Sequence, residues 1–583
     1  MANSALCATL GQHSQAGRKG DNHVNQDFHG AMLPVGPLRS TKGIALALAD
    51  GIGSSAVSQE ASAAAVRGFL EDYYATSEAW SVRRSAQRVL GATNAWLHAQ
   101  TMRSHARFDK DRGYVTTFSA LILKGREVHL LHVGDARIYR VHATALEQLT
   151  EDHRVHLSSV ESFLGRALGM GPNVEIDYRS LPAEVGDVYL LATDGAYMHL
   201  DATAVHAAIA QCADDFDAAA RVLVAAAQAR GATDDLTVQL LRIDALPEDR
   251  ALAHLPPQRE GLSLPPPLSP RMGFEGYTIV RELHASSRSH VHLAVDDATG
   301  QQVVIKTPSV DLATEKDYLD RFVLEEWVAR RIHSPHVLRA AGSERPRQHV
   351  YVAMEFVDGQ TLTQWMTDHP LPDLDAVRSL VAQIGKGLHA FHAREMLHQD
   401  LRPENLMIDR SGTVKLIDFG SAHVAGLAEG TSGARADSIA GTLQYTAPEY
   451  FVGGEGDARS DLFSLAVLTY QMLTGQLPYG LQVVRLRSPT ELKQLRYVPV
   501  RHLRPGLPAW LDGVLQKALQ PEASKRQEAV SEFLYDLQSP GAQFQRLRAP
   551  PLVERNPVRF WQAVSCLLGL AVLVLSGMRA YGN

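Results

Sequence analysis

Between Leu246 and Met272 the chain carries Pro247, Pro256, Pro257, Pro265, Pro266, Pro267 and Pro270. Proline at this density lacks the amide hydrogens that helix and sheet require, and it holds the backbone extended and semi-rigid. A chain of 583 residues is also too long for one hydrophobic core. The segment therefore divides it into two halves that must fold around separate cores. A second proline-marked stretch, Pro540 to Pro557, sets off a short tail. The expected organisation is a domain over 1–245, a linker over 246–272, a second domain over 273–539, a juxtamembrane linker over 540–557 and an apolar helix over 558–579.

A hydrophobic content of 45% beside 21% charged residues describes folded rather than disordered halves. The formal net charge of −7 argues against a nucleic-acid partner, which calls for a basic face. Cys7, Cys212 and Cys566 lie far apart, giving neither a disulfide framework nor zinc spacing, so a reducing compartment is expected. Met1 to Leu10 has no basic, apolar leader pattern. From Phe560 to Met578 there is no charge, and Cys566 to Leu575 is almost wholly apolar. Such a run nearly matches a hydrocarbon layer of about 30 Å. Trp561 stands at an interfacial position, with Arg546, Arg548, Arg555 and Arg559 before it. The positive-inside bias then predicts a single-pass anchor in the cytoplasmic (inner) membrane, with both large domains in the cytoplasm.

Before the proline segment, apolar runs at Gly43–Ala49, Thr116–Leu123, Glu127–Val133, Val188–Ala192 and Leu236–Ile243 predict strands. Glu60–Tyr74, Val82–Met102 and Phe216–Arg230 predict alanine-rich amphipathic helices. This mixture fits a sheet sandwich with helices outside it. After the segment, strands at Tyr277–Leu283, Val291–Val295, Val303–Lys306 and Val350–Phe356 precede a largely helical remainder. That order predicts a two-lobed α+β domain.

Carboxylates punctuate the first half at strand ends. Asp27 lies in a polar segment, Asp50-Gly51 ends one apolar run, Asp194-Gly195 ends another, and Asp234-Asp235 opens the last. Acids converging at one sheet edge repel unless cations intervene, and hard divalent ions with oxygen ligands, Mg or Mn, suit them. A single Asp-Gly is usually a plain turn. The ordered series N-Q-D, A-D-G-I-G, T-T-F-S-A, V-G-D-A-R-I-Y, A-T-D-G and D-D-L-T-V, over about Leu6 to Ile243, resembles the metal-dependent (PPM-type) protein phosphatases. The resemblance implies an α-β-β-α sandwich with two ions, Mn(II) or Mg(II). Asp50 would bridge them, the Gly51 carbonyl would add a ligand, Asp194 and Asp234 would complete one shell, and Asp27 would support bound waters. Asp135 matches a position that holds a third ion in some relatives, and Arg18 falls where a phosphate clamp is expected. A metal-activated hydroxide would then attack phosphoserine or phosphothreonine of a protein substrate directly. Gln26, Ile52 and Asp235 depart from the family pattern, and three residues are added between Arg18 and Asn25.

The second half carries His398-Gln399-Asp400-Leu401-Arg402-Pro403-Glu404-Asn405, then Asp418-Phe419-Gly420 and Ala447-Pro448-Glu449. A carboxylate to orient a hydroxyl, with an amide and a second carboxylate to hold metal, is what Mg-ATP phosphoryl transfer needs. The set resembles the catalytic core of Ser/Thr protein kinases. The resemblance implies a bilobal fold in which Lys306 grips the nucleotide phosphates and pairs with Glu325. Glu355 and Val357 would form the adenine hinge, Asp400 would act as base, Arg402 would lie near the γ-phosphate, and Asn405 and Asp418 would hold Mg. Two departures bear on mechanism. His284, Ser286 and Ser289 occupy the glycine places of the phosphate loop, and Gln399 replaces an arginine that commonly clamps a phosphate on the activation segment. Thr431, Ser432, Ser438 and Thr442 are candidate autophosphorylation sites.

The expectation is a membrane-tethered, bifunctional Ser/Thr phosphatase and kinase acting on proteins, of the kind fused in bacteria. The alternative is an active phosphatase regulated by a nucleotide-binding pseudokinase.

Overall fold

The computed structural model describes residues 6–18, 23–105, 112–142, 145–156, 162–247, 262–286, 288–309, 316–342, 345–428, 443–454, 456–486, 488–539, 541, 544 and 557–580, the last group with side chains to 569. The candidate phosphorylation sites Thr431 to Thr442 lie outside the described residues.

The strands of the first half are β1 (Cys7–Gln15), β2 (Asp27–Met32), β3 (Ile44–Asp50), β4 (Phe118–Lys124), β5 (Glu127–Val133), β6 (Arg137–Val141), β7 (Leu146–Gln148), β8 (Arg154–His156), β9 (Ser162–Leu164), β10 (Asp177–Pro182), β11 (Val188–Ala192) and β12 (Leu236–Ala245). The helices are α1 (Pro37–Lys42), α2 (Ser58–Ala75), α3 (Val82–Arg103), α4 (Asp194–Tyr197), α5 (Ala202–Gln211) and α6 (Phe216–Ala229). One five-stranded sheet runs β1-β12-β11-β6-β7 and the other β10-β5-β4-β3-β2.

The two-residue period of β3 shows how the layers form. Ile44, Leu46 and Leu48 join Leu121, Leu130, Tyr189 and Leu241 between the sheets. Ala45, Ala47 and Ala49 turn the other way and lie under Phe69, Leu90 and Leu97 of α2 and α3. Large side chains fill the gap between sheets, while alanines let helices approach. On the far side, Leu190, Val238 and Leu240 receive Phe216, Leu223 and Val224 of α6. The result is a four-layer helix-sheet-sheet-helix sandwich.

In the second half β13 (Gly273–Phe274), β14 (Tyr277–Ala285), β15 (Ser289–Asp296), β16 (Gln302–Pro308) and β17 (Val352–Glu355) form one antiparallel sheet in chain order, accompanied by helix α7 (Lys316–Arg331). The described end of the proline-rich segment lies against this lobe, where the Ser263 amide donates to the Gln348 carbonyl at 2.9 Å. The larger lobe is helical, built on Leu374–His392, Ala458–Thr474, Ala509–Ala518 and Val530–Gln538. Ala458–Thr474 is its axle, buried along most of its length. The strand-then-helix order predicted two lobes, and two lobes are found.

The tail requires a correction. Pro557–Ala580 is helical, but among the described residues no helix is long and apolar enough to cross a membrane. The part with described side chains, Val558 to Gly569, includes Arg559, Gln562 and Ser565. Arg559, Gln562 and Ser565 place polar groups along this helix that a hydrocarbon layer leaves unsatisfied. The single-pass anchor over 558–579, the inner-membrane location and the membrane partnership are therefore withdrawn.

A buried ion pair pins the base of the larger lobe. Arg526, with a side chain 0% exposed, donates from Nη1 and Nη2 to the two carboxylate oxygens of Glu449 at 2.8 and 2.7 Å. Removing one partner strands the other charge. Arg526→Ala is expected to cost the second half about 3–5 kcal/mol, read as a lower urea midpoint for that half.

Candidate active sites

The first site lies at one edge of the sandwich, where Asp27 of β2 and Asp50 of β3 are register partners. Asp27 is buried, and its Oδ2 accepts hydrogen bonds from Thr193 Oγ1 at 2.8 Å and Thr237 Oγ1 at 2.7 Å. Its other oxygen, Oδ1, is buried with no hydrogen-bond partner among the described residues. Burial pushes the Asp27 carboxyl up to about 7 even though the two threonine hydroxyls pull it down. Asp50 is held well above the usual carboxylate range, first by burial and then by repulsion from Asp27, Asp194, Asp135 and Asp234. Asp194 is raised by burial and then by Asp135 and Asp234. The Asp50 backbone is fixed by Thr117, whose Oγ1 accepts from the Asp50 amide at 2.9 Å. Gly51 is needed for packing, because a β-carbon there would fall 2.7 Å from Ser58 at the start of α2.

The structure thus draws Asp27, Asp50, Asp135, Asp194 and Asp234 into one electrostatic group. Among the described residues no three His, Cys, Asp or Glu side chains already close on one point as a metal cage. What fits a hard divalent ion is the chemistry of the set: oxygen donors throughout, an orphaned Asp27 oxygen, and acids that repel at Asp50. Arg18 stands at the rim, exposed, with its amide donating to the Thr233 carbonyl at 2.8 Å.

Two residues gain roles that the sequence reading did not give them. Arg154, on the three-residue strand β8, donates to Asp135 Oδ2 at 2.6 Å and to Asp194 Oδ2 at 2.9 Å, placing a guanidinium between two of the acids. Asp235, read only as a departure from pattern, is a hub. It accepts from the Gly17 amide at 2.7 Å and the Gln26 amide at 2.8 Å, and lies 2.7 Å from His23 Nε2. It thereby ties down both described ends of the added segment. Neither residue sits in a periodic pattern that could have announced it.

The second site lies between the lobes. Lys306 Nζ donates to Glu325 Oε2 at 2.7 Å and to Asp418 Oδ1 at 3.3 Å. Burial alone would lower the lysine, but Asp418 and Glu325 hold it above its usual value. Glu325 is raised by its burial, partly offset by Lys306, while Asp418 is lowered chiefly by Lys306. Asn405 Nδ2 donates to Asp400 Oδ2 at 2.9 Å, and Arg402 Nε lies 3.8 Å from the same oxygen. Burial pushes the Asp400 carboxyl up to about 6. The backbone is left-handed at Gln399 (φ 62°) and Asp418 (φ 61°), a conformation side chains rarely adopt. Asp461 holds the first of these turns by accepting from the His398 and Gln399 amides, each at 2.9 Å.

The expected hinge is at the end of β17. Glu355 turns its carboxylate to Lys415 Nζ at 2.7 Å and to the Arg339 amide at 3.0 Å, while Val357 is buried. In the phosphate loop, Ser286 Oγ accepts from the Arg288 and Ser289 amides at 3.3 and 3.1 Å. The serine thus occupies donors that a glycine loop would turn toward phosphate. Gln399 Nε2 donates to the Tyr450 hydroxyl at 3.0 Å, so a neutral amide occupies this position.

Family models match both halves of the chain. Residues 15–240 match protein phosphatase 2C, and residues 277–536 match the protein kinase domain. The chain therefore joins a protein phosphatase 2C domain to a protein kinase domain. It is 30% identical over 262 residues to the serine/threonine-protein kinase pkn2 of Myxococcus xanthus, covering 44% of this chain and 31% of that protein. With the serine/threonine-protein kinase PknB of Mycobacterium leprae it shares 32% identity over 287 residues, covering 47% of this chain and 44% of the relative. The chain spans less than half the length of these relatives. It is also 23% identical to a solved structure of PppA, a regulatory component of T6SS in Pseudomonas aeruginosa, with a TM-score of 0.35, covering 41% of this chain and 100% of that one.

Asp50→Asn is expected to remove most Mn uptake by the full chain in calorimetry and to abolish Mn-dependent hydrolysis of p-nitrophenyl phosphate. Because Gln399 offers no charge to an activation-segment phosphate, ATP-dependent labelling by bacterially purified protein is expected to survive prior phosphatase treatment. Near-complete loss would refute that.

Proposed function

We propose that this chain is a bifunctional Ser/Thr protein phosphatase and kinase, moving phosphoryl groups in opposite directions from two sites. The reading rests on one observation: both acid sets are assembled in a single chain. Asp50 is pressed by four other carboxylates, and Lys306 is paired with Glu325 and Asp418.

In the first half, Asp50, Asp194, Asp234 and the Gly51 carbonyl would hold divalent ions, with Asp27 behind them and Asp135, which Arg154 also holds, beside a further one. Such ions supply positive charge to phosphoryl oxygens and acidify water. The protein's own part is to fix the carboxylates. Thr193 and Thr237 orient Asp27, and Thr117 fixes the backbone of Asp50. Arg18 lies at the rim, suited to reach a phosphate entering from solvent.

In the second half, Mg-ATP supplies the γ-phosphoryl group. Lys306 would meet the α- and β-phosphates, with Glu325 keeping it extended, and the main chain around Glu355 and Val357 would meet the adenine. Asp400, oriented by Asn405, would accept a hydrogen bond from a serine or threonine hydroxyl and take its proton, while Arg402 stands nearby as counter-charge. Asn405 and Asp418 would hold the metal.

The Ser286 contacts favour a second reading, in which the kinase half binds nucleotide but regulates the phosphatase instead of transferring phosphate. The two separate cleanly. Under the first, labelling of a generic basic protein by Mg-ATP is expected to fall at least about a hundredfold in Asp400→Asn. Equal labelling by wild type and variant would favour the second.

A further inference from the structure

The two halves meet where the turn between α2 and α3 enters the second half, at a contact that neither catalytic reading uses. Ala79 of the turn is fully buried and belongs to the core cluster that holds Trp327, Phe419 and Leu427. On one side of it, Glu78 Oε2 accepts from Arg331 Nη2 at 2.6 Å. On the other, the Ser81 amide and hydroxyl both donate to Glu395 Oε2, at 2.8 and 2.9 Å, and Arg84 Nη2 donates to the Ala393 carbonyl at 3.0 Å. In the middle, the Gly426 amide donates to the Ala79 carbonyl at 2.9 Å. Lys124, 1% exposed, reaches across from β4 to donate to the Gly426 carbonyl at 2.6 Å. The fit is tight, since a β-carbon on Gly426 would lie 2.4 Å from the Glu78 carbonyl oxygen and 2.7 Å from that of Trp80.

The three kinase elements gripped here are the ones whose placement decides activity. Arg331 ends α7, the helix that carries Glu325. Gly426 lies in the segment that follows Asp418-Phe419-Gly420. Glu395, with a left-handed φ of 54°, precedes the loop of Asp400, and its carbonyl accepts from the Ala425 amide at 3.0 Å. Kinases require the lysine–glutamate pair and the metal-binding aspartate in place together, and phosphate on the activation segment commonly secures them. With Gln399 bonded to Tyr450, the residue that would clamp such a phosphate is missing, and an anchor of another kind is called for.

We propose that the phosphatase domain is that anchor. Its turn from Thr76 to Ser81, with Lys124, holds α7 and the start of the activation segment in the arrangement where Lys306 meets Glu325, so the kinase is switched on by docking in cis. This rests on reading the second half as a kinase. Linkage requires the coupling to run both ways, so nucleotide bound between the lobes tightens the docking.

The test uses the full chain with Glu78→Arg on one side of the contact and Gly426→Val on the other. Near-ultraviolet circular dichroism checks that each variant is folded. Hydrogen exchange over 321–331 and 418–428 is expected to speed up in both, and labelling of a generic basic protein to fall roughly tenfold, with p-nitrophenyl phosphate hydrolysis unchanged. Unchanged exchange in both segments overturns the proposal, as does faster exchange with undiminished labelling. Wild type and Asp400→Asn run alongside. If those two label equally, the kinase reading fails, and exchange alone still decides whether the turn holds α7.

Discussion

Burying like charges side by side is the constraint around which both halves are built. Asp27 and Asp50 face each other across neighbouring strands, with three more carboxylates raising Asp50 further. Poorly screened pairs of this kind cost several kcal/mol unless a proton or a cation intervenes. The first half distributes that cost through its sheets. Asp27 belongs to one sheet, while Thr193 and Thr237, which bind it, lie at the end of β11 and on β12 of the other. The bonds that aim the carboxylate therefore also fix how the sheets stack, and the apolar filling of Leu46, Leu48 and Leu241 keeps that stacking rigid. The second half meets the same constraint with a lysine. Lys306 lies between Glu325 and Asp418, so the position of α7 becomes an electrostatic matter as much as one of packing.

What the sequence disclosed follows from the same physics. Runs such as Ile44–Ala49 were legible because β3 is buried on both faces and leaves no polar interruption. By contrast β1 and β2 are half-exposed, with sequences such as Thr9-Leu10-Gly11-Gln12-His13 that lack clean alternation; β1 was not expected as a strand, and β2 stood out only through the Asp27 motif. Arg154 reaches its carboxylates from a very short strand with no period to read. Ser286 was legible as a lost glycine, but not as a side chain that takes up its neighbours' amides. The uncharged stretch after Phe560 misled because apolar content suggests a span before polar interruptions such as Gln562 and Ser565 are weighed against it.

Around Asp400 the chain carries conformational strain and restrains it locally. Left-handed backbone at non-glycine residues costs on the order of 1–3 kcal/mol at each position, and Glu395, Gln399 and Asp418 all adopt it. Asp461 holds two amides of this loop from the axle helix Ala458–Thr474, while Phe419 packs against Phe391 and His398. These supports are buried and belong to the larger lobe. Among the described residues the phosphate loop is closed by serine-to-backbone bonds, with Arg288 also joined to Tyr318 of α7. Rigidity is thus concentrated where the hydroxyl would be oriented, and the nucleotide cover depends on α7.

That dependence gives the contact between the halves its weight. A tether alone raises effective concentration without favouring one arrangement over another. Main-chain bonds between Ala79 and Gly426, a buried lysine ending on a carbonyl, and an alanine sunk in the partner's core are specific to one arrangement, because each is lost on small displacement. Since the turn that makes them joins α2 to α3, it is fixed in turn by the helices lying on Ala45, Ala47 and Ala49. The packing of the phosphatase sandwich is thereby connected, through a few consecutive residues, to the helix that carries Glu325. On the proposed function, two opposed activities would otherwise be linked only by the tether between the halves. Here the fold of one is part of the support of the other.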